Sequence, residues 1–314
     1  MHYIFGPVTS RRFGKSLGIN IVPFKICTYD CIYCEVGKTT KKTAEKKSYV
    51  DVDVLIEEFK QTYSLYQKNL DVITITGQGE PTLNSQLGDI ITKIQSLANT
   101  PILVLTNGSL LHEEEVRSAL SKAHMVCTSL DAVHHEIFYK VNNPLIDISI
   151  INVINGLIEF SYFYTGKLYI EVLLVKGIND YIDHIDEIIK VIRKCNYSSV
   201  QINTVYRPPA HPFAEPIDDV KLFEIELYMD EMGVKIDQSS KTYKKIGTTQ
   251  DFLREYILNT TALRPLCIDE ITKIFNNSRF EIDKIIEKLI MNRELSVITH
   301  DNKKYYIKST NRRI

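Results

Sequence analysis

The sequence predicts a parallel α/β fold of barrel type followed by a small helical domain, and three observations carry that prediction. Between residue 51 and about residue 204, short β-branched apolar runs alternate with amphipathic helical stretches, the pattern of right-handed βαβ units. Polar and glycine-containing segments follow the carboxyl ends of those runs, where parallel barrels keep their reactive groups. Past residue 237 the chain turns polar and lysine-rich before helical periodicity resumes, which divides it into a barrel at 1–237, a linker at 238–249 and a small domain at 250–314.

The bulk properties agree. A chain of 314 residues has room for a large barrel and an appendage. Hydrophobic content of 44% and charged content of 25% are those of an ordinary globular protein, so neither a disordered nor a fibrous class applies. No run approaches the ~20 apolar residues needed to cross a bilayer. The opening residues have neither the basic segment nor the apolar stretch of a secretory leader, so a reducing cytoplasm is the expected location and no membrane partner is expected. A net charge of −1 gives no global attraction to nucleic acid or membrane surfaces.

In chain order, a turn-rich lead from Gly6 to Ser16 enters a short strand at Gly18–Val22. Arg11 and Arg12 in that lead are either surface charges or guanidinium forks for a phosphate or carboxylate of the substrate. Helices are expected at Val52–Tyr66, Ser85–Leu97, Glu113–Lys122, Ile148–Phe160 and Tyr181–Lys194, each amphipathic at helical spacing. Strands are expected at Val72–Thr76, Pro101–Thr106, Met125–Leu130, Leu168–Val175 and Ser198–Thr204, all short and rich in β-branched residues. With the strand that precedes the cysteines, the count is six.

Between the first two strands lies Lys25-Ile26-Cys27-Thr28-Tyr29-Asp30-Cys31-Ile32-Tyr33-Cys34, which holds three of the six cysteines. A loop of spacing Cys-x3-Cys-x2-Cys can wrap its sulfurs around one iron–sulfur cluster, for which thiolate is the usual ligand. Three ligands leave one iron of a four-iron cluster open to a non-protein group. Two other readings stay beside it: a partial zinc site completed by His2, His112 or His134, and one disulfide with a spare thiol. The remaining Cys127, Cys195 and Cys267 are isolated and read as small core hydrophobes.

At these residues the sequence resembles the radical S-adenosylmethionine (radical SAM) superfamily, whose signature is Cys-x3-Cys-x-aromatic-Cys, with Tyr33 as the aromatic. The resemblance implies a partial (β/α)6 TIM-type barrel of the radical SAM kind. It also implies a 4Fe-4S cluster on Cys27, Cys31 and Cys34, with S-adenosylmethionine chelating the fourth iron. One-electron reduction would release a 5′-deoxyadenosyl radical that abstracts hydrogen from a substrate. The opening Gly-Pro-Val-x-Ser-Arg-Arg-x-Gly-x-Ser-Leu-Gly is similar to a branch of iron–sulfur oxidoreductases related to the 4-demethylwyosine synthases. The further cysteine group of those synthases is missing here, which argues against their activity.

The strand ends supply the other candidates. Gly77-Gln78-Gly79-Glu80-Pro81 resembles the family's Gly-Gly-Glu-Pro turn, implying that Gly77, Gly79 and Glu80 lie against the methionine ammonium; read alone it is a tight turn. Asn107 ends the third strand, either at the cofactor or in a left-handed turn. Ser129 and Asp131 resemble the pair that bonds the ribose hydroxyls, although an Asp there also suits a helix cap. On the substrate side stand Lys176, as a Schiff-base lysine or an exposed ion-paired one, and Arg207 and His211 on a proline-stiffened loop.

The five lysines of Lys38–Lys47 read as a solvated loop or as a docking patch for an acidic low-potential electron donor such as ferredoxin or flavodoxin. After a helix at Val220–Met232 and a strand at Val234–Asp237, three helices at Asp251–Leu258, Ile268–Phe275 and Glu281–Asn292 precede a hairpin at Val297–Thr299 and Tyr305–Ile307. Ser278 and Glu281 form a capping box for the third. That order resembles a winged helix. The charges of the third helix cancel, so a protein-binding or substrate-presenting role is expected ahead of DNA reading, with Lys303, Lys304, Arg312 and Arg313 left for nucleic-acid contact. The first functional expectation is therefore a radical SAM enzyme acting on an RNA base, a protein or a metabolite. The other is a non-catalytic iron–sulfur redox or iron sensor carrying a winged-helix module.

Overall fold

Seven strands form one sheet in the computed structural model, which describes residues 3–10, 12–237, 249–262 and 264–309. Strand β1 (Ile4–Ser10) runs antiparallel to β2 (Gly14–Asn20), and β2 is buried at all seven positions. Gly18 of β2 has no side chain because the Phe5 ring lies there; a Cβ would come within 2.1 Å of it. A two-residue pair, β3 (Ile26–Cys27) with β4 (Lys41–Lys42), then ties the cysteine loop to the basic loop.

Six β/α steps follow in parallel. Helix α1 (Val52–Tyr66), capped by Asp51 accepting from Asp53 N and Val54 N, leads to β5 (Val72–Thr76). Next come α2 (Leu87–Gln95), β6 (Ile102–Thr106), α3 (Glu114–Leu120) and β7 (Met125–Ser129). Two helices, α4 (His135–Asn142) and α5 (Ile150–Phe163), precede β8 (Lys167–Leu174); α6 (Ile182–Ile192), β9 (Ser199–Thr204) and α7 (Asp219–Glu231) complete the unit. The sheet order is β1-β2-β5-β6-β7-β8-β9, with every neighbour from β2 to β9 parallel. Its core packs Leu17, Ile75, Val104, Val126 and Ile170 of the strands against Phe59, Ile90, Leu120 and Phe160 of the helices.

From residue 250 on, α8 (Gln250–Thr261), α9 (Ile268–Ile274) and α10 (Arg279–Met291) are followed by the hairpin β10 (Leu295–His300) and β11 (Lys303–Lys308). They enclose a separate apolar cluster around Leu253, Ile271, Phe275, Ile286 and Leu289. The expected capping box is present: Ser278 Oγ accepts from Glu281 N, and the Glu281 carboxylate accepts from Ser278 N. Helices α8 and α9 pack on β1, the edge at one side of the sheet. The hairpin reaches the loop after β9 at the other side, where Tyr305 donates to Tyr206 O at 2.6 Å. The C-terminal module thus bridges the first and last strands of the open barrel.

Three expectations are corrected. The strand expected at Gly18–Val22 lies four residues earlier at its start and two earlier at its end, because β1 pairs with it from Ser10 to Gly14 onward. The run Val234–Asp237 forms only a bridge, Val200 with Ile236, along the outer edge of β9. Helix α4 and strand β1 have no counterpart in the sequence reading. The linker at 238–249 falls outside the described residues except for Thr249, as do Arg11, His2 and Arg312–Arg313. Among the described residues no helix is long and apolar enough to cross a membrane.

Candidate active site at the carboxyl ends of the strands

The cysteine loop leaves β2 through Lys25, held at φ +54° by its own backbone partners: its N–H donates to Gln78 O at 2.7 Å, and its carbonyl accepts from Thr40 N and Lys41 N. Next to it, Ile26 O accepts from Glu80 N at 3.1 Å. Gly79 is required at this crossing, since a Cβ would stand 1.7 Å from Ile26 O. On the other side the loop docks on the end of α4, where Asp30 N donates to the carbonyls of Asn142 and Asn143, and Ile32 N to Val141 O. Helix α4 therefore has its terminal carbonyls satisfied by the cysteine loop.

The loop brings all three thiols to this end of the sheet, and each has its own donor. Cys27 Sγ accepts from Tyr29 N at 3.5 Å and Asn107 Nδ2 at 3.6 Å, Cys31 Sγ from Asn142 Nδ2 at 3.5 Å, and Cys34 Sγ from Lys25 Nζ at 3.1 Å. Burial, then the charge of Glu80, pushes the Cys27 thiol up to about 12. Burial and the neighbouring cysteines push Cys31 well above the usual range. Such thiols ionise when a cation binds them. Among the described residues no three His, Cys, Asp or Glu side chains gather as the ligands of a single ion do. All six cysteines are free of disulfides.

Glu80 is 2% exposed, and four donors converge on it: Thr82 N, Thr82 Oγ1 and Thr106 Oγ1 on one oxygen, and Asn107 N on the other at 2.8 Å. Burial raises its pKa and those bonds pull it back. The carboxylate thus pins the Gly77–Pro81 turn to the end of β6 and fixes Asn107, whose Nδ2 also bonds Thr28 Oγ1 at 2.8 Å. Asp131, 3% exposed, accepts from Tyr33 OH and from Asn142 Nδ2 through one oxygen and from Leu173 N through the other. Burial pushes it up to about 6 against those bonds. Ser129, Asp131, Asn107, Asn142, Phe138 and Tyr29 line one narrow crevice. The Tyr29 hydroxyl, buried, has no hydrogen-bond partner among the described residues.

The substrate-side candidates separate. Lys176 is exposed, with its ammonium 3.5 Å from Glu215. Arg207 is committed on both forks, to Glu35 next to Cys34 and to Glu270 of α9, and Arg264 also bonds Glu270 at 3.0 Å. His211 N donates to Ile32 O inside the cysteine loop, and its buried Nε2 is unpartnered. Arg12 points into the barrel, donating to Glu171 at 2.6 Å and Gln201 at 2.8 Å. Lys25, Tyr29 and Asn142 escaped the sequence reading. The two that belong to the cysteine stretch were visible there as a lysine among apolar residues and a second tyrosine; Asn142 had no signal because α4 was not recognised.

This fold and site define a class, and comparison with known proteins names it. The family model described as the Radical SAM superfamily matches residues 21–192. Among solved structures, a radical SAM methyltransferase from Sphaerobacter thermophilus superposes with a TM-score of 0.54 at 16% identity, covering 70% of this chain and 65% of that one. TYW1 with a lysine-pyruvate adduct bound gives a TM-score of 0.52 at 15% identity over 79% and 80%. At such identities the likeness is one of fold. A UPF0026 protein of Helicobacter pylori is 33% identical over 296 residues, 94% of each chain, and one of Methanocaldococcus jannaschii is 30% identical over 98% of this chain and 97% of its own. A Brachyspira hyodysenteriae protein named GTPase Obg is 35% identical over 91% of this chain, which spans only 42% of that relative. The chain belongs to the radical SAM superfamily. Its architecture is the parallel half-barrel of that superfamily, whose members carry a 4Fe-4S cluster and S-adenosylmethionine and are in general enzymes.

The residues present fit those cofactors. Three thiols share one loop with a buried ammonium that donates to a sulfur at 3.1 Å rather than to a carboxylate. Beside them, the orphaned Tyr29 hydroxyl and the Asp131 carboxylate offer hydrogen bonds within a crevice.

Proposed function

We propose that this chain is a radical SAM enzyme in which Cys27, Cys31 and Cys34 hold the cluster and the turn Gly77–Glu80 receives the amino acid end of S-adenosylmethionine. What carries the reading is the meeting of three separately hydrogen-bonded thiols with the Tyr33–Asp131–Asn142 network at the same strand ends. The bound cofactors supply one-electron cleavage of a sulfonium and a carbon radical that abstracts hydrogen. The chain supplies position. Gly79 lets the turn approach the cysteine loop, Glu80 rigidifies it, and Asn107 ties the end of β6 to Cys27. Asp131 would be the acceptor for ribose hydroxyls, with Ser129 beside it and with Tyr33 and Asn142 already fixing one of its oxygens.

Lys38 and Lys41 are exposed on the loop that β4 ties to the cysteines, and they serve as the docking point for an acidic low-potential electron carrier. Lys42 and Lys46 are engaged instead, with Asn143 and with Glu113 and Glu115. Reduction by such a carrier should slow as salt rises; salt-independent reduction would remove this role. The substrate is an RNA base, a protein or a small metabolite, and the C-terminal module, in the order of a winged helix, presents it or binds its carrier. A cytoplasmic setting suits the exposed cluster chemistry. The test is anaerobic reconstitution followed by dithionite and S-adenosylmethionine: 5′-deoxyadenosine should form, and an amount no greater than that of a Cys27→Ala control would refute the enzyme and leave a sensor.

A further inference from the structure

A buried cation without a carboxylate stands beside the thiols. Lys25 is 2% exposed, and its ammonium donates to Cys34 Sγ at 3.1 Å. No carboxylate pairs with it among the described residues. Burying an ammonium away from an anion is costly enough that proteins pair such groups or leave them outside. Its backbone fixes the position: Gln78 O, Thr40 N and Lys41 N hold residue 25 between the Gly77–Glu80 turn, the cysteine loop and the basic loop. A left-handed φ of +54° at a non-glycine residue adds a further local cost.

We propose that the Lys25 ammonium is a fixed positive charge set against the cluster, which favours its reduced state and compensates the lysine's burial only when the thiolates are assembled. The proposal rests on the assignment of the cluster to Cys27, Cys31 and Cys34. Adding an electron makes the cluster more negative, so a desolvated cation beside a ligand sulfur stabilises the reduced form more than the oxidised one. Hydrogen bonds to the sulfurs act in the same direction and are among the levers by which proteins set such potentials. Lys25 is a positioning and tuning residue, separate from the groups that touch substrate.

Lys25→Met and Lys25→Gln remove the charge, Lys25→Arg keeps it, and all four side chains suffer alike from the left-handed backbone. Iron and sulfide are counted per chain, and the ratio of reduced to oxidised cluster is read by electron paramagnetic resonance at fixed potentials without substrate. In the neutral variants that ratio should fall at least about tenfold, equal to ~59 mV for a one-electron couple; in Lys25→Arg it should stay within about threefold. In cluster-free protein, where the burial is uncompensated, Lys25→Met should raise the thermal midpoint. Equal ratios at equal cluster content, or a lowered midpoint of the cluster-free variant, overturn the proposal. If both neutral variants fail to take up a cluster, uptake by Lys25→Arg supports the charge requirement and its failure there overturns it. Wild-type protein that takes up neither iron nor sulfide defeats the cluster assignment first, an outcome distinct from the others.

Discussion

Asp131 is a buried carboxylate whose place in the fold carries a cost at neutral pH. Its folded pKa, raised to about 6 by burial, stands above the ~3.9 of an exposed Asp. A raised pKa means that the folded state binds the proton more tightly than the unfolded one. The contribution to stability is therefore full below pH about 4 and is lost as pH rises through about 6, amounting to roughly 3 kcal/mol at ~1.4 kcal/mol per pKa unit. In cluster-free protein, Asp131→Asn should flatten the fall in stability between pH 4 and pH 7, followed by urea unfolding at each pH. An unchanged pH dependence would mean that Asp131 is already solvated. At this scale the cysteines and the two strand-end motifs were legible, because their chemistry is written in adjacent letters. The Tyr33–Asp131–Asn142 bonds were not, since they join residues 98 and 11 positions apart across three elements.

At the level of elements, the site depends on a crossing between the Gly77–Pro81 turn and the cysteine loop. Gly79→Ala places a methyl 1.7 Å from Ile26 O, so one of the two backbones must move. Cluster content should drop at least about tenfold by iron per chain, while far-ultraviolet circular dichroism stays native because the sheet core lies elsewhere. Full cluster content in this variant would show that the crossing is not needed. The strands β5 to β9 and helices α1 to α3 and α5 to α7 are legible in order, since each is a run with one dominant period. Helix α4 has eight residues and buries only Phe138, Val141 and Asn142, too short a pattern to stand out. Strand β1 contains Gly6-Pro7, which reads as a turn, and it is a strand only because β2 lies beside it. The hairpin and the capping box of α10 follow local rules and were legible to within two or three residues.

For the whole molecule, the question is how the C-terminal module is held over the open side of the barrel. Gln78 Nε2 bonds Ala262 O at 3.0 Å, His300 bonds Val205 O, and Arg207 spans from Glu35 of the cysteine loop to Glu270 of α9. Arg264 and Arg207 hold the Glu270 carboxyl well below the usual range despite its burial. Glu270→Ala leaves two guanidiniums facing each other without their shared anion, and removing one partner of a buried pair costs about 3 to 5 kcal/mol. The C-terminal module should then become the first site of limited proteolysis, with the barrel resistant; uniform resistance would show that the apolar contacts on β1 hold it alone. None of this docking was legible, because it rests on single pairs between residues more than sixty positions apart.

On the proposed reading, Cys27, Cys31 and Cys34 of one loop hold a four-iron cluster beside the crevice at Ser129 and Asp131. Iron and acid-labile sulfide counted per chain after anaerobic reconstitution, in wild type and in Cys27→Ala, Cys31→Ala and Cys34→Ala, test it most directly. About four of each in the wild type, with marked loss in every variant, is the result expected of a 4Fe-4S site. Zinc without sulfide, or a cluster that survives loss of any of the three cysteines, would contradict it.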